Sequence, residues 1–296
     1  MSIEARNLKE IKEYINEFST KINREGMWFR GVNNAAFDLV PGLQRSLPKQ
    51  TFHQQTKEIE KEMFNIFKSA EELQDKNLTD WEILYLMQHS GLKTRFLDWS
   101  LSPKVSLFFA TYNWNEEQNA RLWLLDPHLL NEVFWGEYTI ISPQKGKTYF
   151  DFLDSVISSN DIYAFDAFRM DYPYPYSNIN KRINAQKGVF TFHLSSNVFG
   201  STYGDSLNAQ LSNVIKFKKI PFSHEKKLRS SFPSSDIVLD YIDILPGAKE
   251  EIKEYLVKQG ITIKTLFPDL PGIVDYINDS FQDIINQSQP SYPLDF

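Results

Sequence analysis

Hydrophobic positions along the chain recur at two spacings, helical and alternating, and together they predict a mixed order of helices and strands. Within residues 2–19, Leu8, Ile11, Ile15 and Phe18 recur at helical spacing while Lys and Glu fill the other face, which predicts a helix. Gly26 breaks that pattern, and Met27 to Val32 reads as a short aromatic strand ended by Asn33-Asn34. Residues 52–75 carry Ile59, Met63, Phe64 and Phe67 on one side of a polar background, a second helix. Thr79-Asp80-Trp81-Glu82 offers an N-cap to a helix over Ile83–His89, and Ser90-Gly91 stops it with Gly as a left-handed cap. Arg95 to Trp99 follows as a strand or turn. Ser102-Pro103 opens another helix, buried by Val105, Leu107, Phe108 and Phe109, with Pro suited to the first helical position. Arg121 to Asp126 reads as a buried strand.

Residues 136–180 are the least regular stretch, and the Tyr/Pro alternation from Asp171 to Tyr176 predicts an extended, polyproline-like loop. Two further strands are expected at Val189–Leu194 and Val214–Ile220, then helices over 248–258 and 270–285 separated by Gly260. There is no internal repeat, low-complexity linker or charge block. The expected organisation is one domain over 1–296, with a helical lead at 1–26, a core at 27–275, and a C-terminal helix and tail at 276–296.

Composition narrows the function classes. Of 296 residues, 42% are hydrophobic and 24% charged, enough to bury a sizeable core. Cysteine is absent, which excludes disulfides, thiolate metal sites and a Cys nucleophile. The N-terminal run MSIEARNLKEIKEY lacks the apolar stretch of a secretory signal and no apolar run reaches membrane-spanning length, so a cytoplasmic protein without a membrane partner is expected. A net charge of −6 argues against a broad basic nucleic-acid surface. Lys216, Lys218, Lys219, Lys226, Lys227 and Arg229 still form a local basic stretch, either a charged strand edge or a groove for RNA. No dense Asp/Glu cluster has metal-binding spacing, so neither a bound metal nor a metal-dependent nuclease is expected.

Polar chemistry concentrates in islands framed by apolar runs. Arg30, in an aromatic strand and followed by Gly31, needs an acceptor or anion, because an unpaired buried guanidinium is very costly. An internal ion pair with Asp98 and a clamp on phosphate or carboxamide both satisfy it; the glycine lets a backbone or ligand approach. The second island runs from Gln88 to Ser100, between Leu84–Met87 and Val105–Phe109. Alone, His89 reads as a helix-end histidine and Asp98 as a turn cap for Ser100; their concentration is what suggests a site on a rigid scaffold. A third island, Arg182 to Phe190, reads as a turn before a strand.

These elements together resemble the FRG domain, whose aromatic-Arg-Gly signature is seen as Phe29-Arg30-Gly31. Its Gln-His-x-Gly-Leu-x-Thr-Arg-hydrophobic-Leu-Asp-Trp-Ser block is matched by Gln88 to Ser100 and runs on into a helix matched by Ser102 to Ala110. Its Arg-Ile-x-x-Gln-x-Gly-x-Phe element is matched by Arg182 to Phe190, and a closing Leu-Phe-Pro-Asp-Leu by Leu266 to Leu270. The same elements in the same order also resemble the arginine-bearing branch of the ADP-ribosyltransferases. That resemblance implies an α+β fold in which mixed small β-sheets form a split core with flanking helices.

It also implies NAD as substrate and a macromolecular acceptor, RNA or protein, in a toxin of bacterial or antiphage defence that an inhibitory antitoxin partner can silence. The catalytic residues implied are Arg30, His89, Asp98 and Gln186, and the NAD-binding residues Phe29, Arg30, Gly31, Thr94, Arg95, Trp99 and Ser100. Arg30 would hold phosphate, the Gly31 backbone the carboxamide, and Ser100 and Thr94 the ribose, while one of Trp99, Tyr172, Tyr174 and Tyr176 would stack on a base. Gln186 stands where the transferases carry glutamate; it can hydrogen-bond a hydroxyl but carries no charge, leaving Asp98 to supply the carboxylate and His89 as a further proton carrier. A transferase requires a cleft joining Arg30, Ser100 and Gln186. A non-catalytic nucleotide or RNA binder would use the same pocket, and a plain interaction module would pair Arg30 with Asp98 in a closed core.

Overall fold

Strand pairing organises the protein. In the computed structural model, which describes residues 3–22, 26–47, 53–74, 77–135, 139–141, 148–156, 162–165, 177–194 and 238–269, the described strands join in one seven-stranded sheet. They are β1 (Ile3–Ala5), β2 (Trp28–Val32), β3 (Phe96–Ser100), β4 (Ala120–Leu125), β5 (Ile162–Phe165), β6 (Gly188–His193) and β7 (Leu239–Ile244), in the order β1-β7-β4-β2-β3-β6-β5. The β1–β7 pair is parallel and every other pair antiparallel. The expected class, α+β, holds. The separate small sheets do not: β1-β7-β4-β2 and β3-β6-β5 merge, though only through the pair Phe29↔Ser100, whereas β2–β4 and β3–β6 each share five pairs.

Helices cover both faces. Phe29, Leu122, Leu124, Ile242 and Ile244 point to one face, where α1 (Leu8–Ile22), α6 (Pro103–Thr111) and α10 (Lys249–Lys258) bury Ile11, Phe18, Leu107, Ile252 and Leu256 against them. Alternation puts Trp28, Leu97, Trp99, Trp123 and Leu125 on the opposite face. Phe96, Phe190 and Phe192 pack with Trp81, Leu84 and Tyr85 of α5 (Asp80–His89) and with Leu153 of α8 (Tyr149–Val156).

Local chemistry explains the element ends. Thr79 and Glu82 form a reciprocal capping box at the start of α5. Gly91 follows that helix at φ +85, the left-handed conformation expected of it. Ser102 caps α6, with Pro103 in its first turn. Gly260, at φ +72, ends α10 before α11 (Ile263–Leu266).

Several expectations need correction. The helical lead 1–26 is part of the core: residues 3–5 form a strand beside β7, and α1 starts only at Leu8, where Asn7 Oδ1 accepts from the Glu10 N–H. Ile59 is exposed; the buried line of α3 (His53–Lys68) is Thr56, Glu60 and Phe64, one position round the helix. The irregular 136–180 stretch contributes α8 and β5. The turn expected at Arg182 is the last part of α9 (Ser177–Gln186), and Lys187 at φ 49 makes the break before β6. The loop at Asp171–Tyr176, the strand and basic stretch at 214–229 and the helix at 270–285 lie outside the described residues.

Candidate functional site

Beyond the pair Phe29↔Ser100 the ladder between β2 and β3 stops, and the two strands part. Arg30 spans the gap: its Nη1 donates to the main-chain oxygen of Asp98 at 2.6 Å. Burial pulls the Arg30 guanidinium below its usual range; Asp98 opposes that shift and Arg45 adds to it. The Asp98 carboxylate is engaged elsewhere, accepting from Gln88 Nε2 at 3.0 and 3.1 Å. Thr94 in turn donates to Gln88 Oε1 and accepts from the Phe96 N–H at 3.1 Å, which fixes which end of the Gln88 amide faces Asp98.

Two cavities, each of about 450 Å³, meet at Arg30, Gln88 and Asp98. The first joins Arg30, Ser100 and Gln186, and adds His89 at the end of α5 and Arg182 of α9. Phe37, Phe109, Tyr112, Phe190 and Phe267 supply aromatic wall, with Phe37 about half exposed. Such a mixture of aromatic surface with a few convergent polar groups is the usual make-up of a ligand site. The closed core required of a plain interaction module, with Arg30 paired to the Asp98 carboxylate, is not what forms.

Each predicted site residue has a definite place. Arg30, His89, Asp98 and Gln186 line the first cavity. Gln186 Nε2 donates to the Leu266 oxygen at 3.1 Å, and no described residue hydrogen-bonds its Oε1. Ser100 Oγ donates to the Gln186 main-chain oxygen at 2.7 Å and accepts from the Ser102 N–H at 3.0 Å, so it ties β3 to the end of α9 as well as lining the cavity. Thr94 lies on the second cavity and acts on the first only through Gln88.

Two NAD-binding expectations change. Arg95 lines neither cavity: it is buried, with Nε donating to Glu60 Oε2 at 2.8 Å, while the Tyr149 hydroxyl donates to Glu60 Oε1 at 2.6 Å. Burial, more than the Glu60 charge, pushes the Tyr149 hydroxyl well above its usual range. Trp99 borders the first cavity, but its ring belongs to the core and its Nε1 donates to Thr191 Oγ1 at 2.9 Å, so it offers no stacking face. Gly31 lines the first cavity, as expected, and also admits a backbone: a Cβ there would stand 1.7 Å from the Ser106 oxygen of α6. Phe29 is a core residue at the cavity edge. Tyr172, Tyr174 and Tyr176 lie outside the described residues.

Arg182, like Gln88, is a polar cleft residue to which the sequence alone gives no role. Its Nη2 donates to Asp269 Oδ1 at 2.7 Å, its guanidinium lies 4.9 Å from the Phe267 ring centroid, and its buried Nε has no partner among the described residues. Its position four residues before Gln186 is the available signal, since that spacing puts both on one helix face. Among the described residues no cluster of His, Asp and Glu suits a metal ion, and no helix is long and apolar enough to cross a membrane.

Comparison with known proteins gives one family. Residues 25–119 match the FRG domain model, from the segment before β2 to the threshold of β4. Arg30, His89, Asp98 and Ser100 fall inside that match; Arg182 and Gln186 lie beyond it. No curated protein and no solved structure matches the chain.

Proposed function

We propose that this chain, which carries an FRG domain at residues 25–119, is an NAD-dependent ADP-ribosyltransferase acting on a macromolecule, RNA or protein. The observation that carries the reading is the convergence of Arg30, Asp98 and Gln186 on one aromatic-walled cleft from β2, β3 and the end of α9. These segments have the order along the chain that the resemblance requires.

NAD supplies a ribose C1′ whose bond to nicotinamide breaks with the electron pair leaving on the nicotinamide, while the acceptor nucleophile bonds to C1′ and gives up a proton. The protein's part is binding, orientation and electrostatics. Arg30 and Arg182 offer guanidinium donors to the diphosphate, and such charge-assisted hydrogen bonds contribute roughly 1.5–3 kcal/mol each. The Gln186 Oε1, which no described residue hydrogen-bonds, accepts from a ribose hydroxyl. The Asp98 carboxylate, held by Gln88, provides negative charge opposite positive charge developing on the ribose and takes the acceptor's proton. His89 borders the same space as a second proton carrier. Phe109, Tyr112 and Phe267 present ring surface to nicotinamide or a base.

One observation favours a second reading, nucleotide or RNA binding without turnover. Gln186 is uncharged and its Nε2 is already committed to Leu266. Incubation with NAD labelled on the adenylate half, with separate protein and RNA acceptor fractions, separates the two. Label on either fraction supports the transferase and identifies the acceptor class. Saturable NAD binding with no label transferred supports the binding module.

A further inference from the structure

The second cavity lies on the other side of the Arg30–Gln88–Asp98 cluster, and its lining differs in kind from that of the first. Arg30, Arg45 and Lys93 bring three positive charges to it, and Asp98 is its single carboxylate. Both oxygens of that carboxylate already accept from Gln88. Arg45 and Lys93 are exposed, and neither side chain has an ion-pair or hydrogen-bond partner among the described residues. The hydroxyls of Ser46 and Thr94 also line it, but they already donate to the Gly42 oxygen and to Gln88 Oε1, so the cations are its uncommitted donors. This local positive excess stands in a chain whose net charge is −6.

Two observations separate the cavity from an ordinary solvated surface. Arg45 is close enough to Arg30 that its charge adds to the lowering that burial imposes on the Arg30 guanidinium, while the Asp98 carboxylate opposes it, so two guanidiniums and one carboxylate already held by Gln88 face one space. Arg30 is fixed from behind by the Asp98 main-chain oxygen, so it is a positioned donor rather than a flexible one. One braced and two exposed cations around a polar hollow match the chemistry of a tetrahedral oxyanion.

We propose that this second cavity is a phosphate-binding site, formed by Arg45 and Lys93 at its rim with Arg30 behind them. The phosphate has two possible sources, the diphosphate of NAD itself or a phosphate of a separate ligand. The site does not rest on the transfer reaction, because binding is read without turnover.

The test is isothermal titration of the full chain with inorganic pyrophosphate. Wild type is compared with Arg45→Gln/Lys93→Gln, and with Lys9→Gln/Lys258→Gln, which removes two charges from exposed helical positions elsewhere. Circular dichroism checks that each variant is folded. The expected result is saturable binding that weakens about tenfold or more in the first variant and changes by less than about twofold in the second. Repeating the titration with NAD present distinguishes the sources: displacement assigns the phosphate to NAD, and simultaneous binding assigns it to another ligand. Absence of binding to folded wild type, or equal loss in both variants, overturns the proposal. So does an affinity that survives Arg45→Gln/Lys93→Gln unchanged.

Discussion

Arg30 donates to the main-chain oxygen of Asp98 at the point where β2 and β3 cease to pair. One side chain thus takes the place of a ladder hydrogen bond, and the gap it spans is where both cavities meet. Phe29 and Gly31, its neighbours, serve packing: one fills the core and the other admits helix α6. The aromatic-Arg-Gly triplet therefore places a cation in a split in the sheet.

Gly31 and Gly91, two of the motif glycines, should respond differently to alanine. At Gly31 the new Cβ meets main-chain atoms of Ser106, at 1.7 and 2.7 Å, and of Ala110 at 2.8 Å, none of which moves without shifting α6. Urea unfolding of Gly31→Ala should show a loss of about 3 kcal/mol or more, the upper end of overpacking costs. Gly91→Ala meets no atom within 4 Å and is strained only by its φ of +85. It should lose about 1–2 kcal/mol. Equal losses would contradict the close approach of α6.

Glu60 and Arg95 form a buried pair, with side chains 3% and 0% exposed. Glu60→Ala leaves the guanidinium without this carboxylate and should destabilise by about 3–5 kcal/mol in chemical denaturation. NAD affinity at temperatures where the variant remains folded should stay near that of wild type, since neither residue lines the cleft. A selective loss of NAD binding would return Arg95 to the ligand site.

The elements legible in the sequence are those that local chemistry decides. Thr79 with Glu82, Gly91, and Ser102 with Pro103 each carry their own capping logic, and each marks the boundary expected of it. What escaped depends on partners distant in sequence. Ile3–Ala5 is a strand only because Ile242–Ile244 lies beside it. Arg95 reads as a ligand-site residue from the sequence alone because its partner Glu60 is 35 positions earlier. A signal was present: Glu60 sits four residues before Phe64 and four after Thr56, a carboxylate within a buried stripe that must find a donor. At the site, the residue types of Arg30, Asp98 and Gln186 were readable, but the division of labour around Asp98 was not. Which groups satisfy its carboxylate follows from the placement of Gln88 on α5, a tertiary matter.

His193 should impose an acid limit on stability. Burial first, and the Arg30 charge second, hold its imidazole at about 3, against 6.5 for the ordinary group. The unfolded chain takes up this proton near pH 6.5 and the folded protein does not until about pH 3. The contribution is therefore complete above pH 6.5 and is lost as pH falls through that window, at up to about 1.4 kcal/mol per pH unit. Denaturant midpoints measured across the window should fall less steeply in His193→Gln than in wild type. Parallel slopes would show that His193 is not the group responsible.

Nicotinamide release from NAD tests the central claim most directly. Purified wild type should release nicotinamide when protein and RNA acceptors are supplied. Arg30→Ala should release it at least about a hundredfold more slowly, through loss of charge-assisted contacts together with the brace on β3. Gln186→Ala should fall about tenfold, as one neutral hydrogen bond is lost. Folded wild type that binds NAD yet releases no nicotinamide with either acceptor would contradict the transferase account and leave the cleft as a nucleotide-binding site.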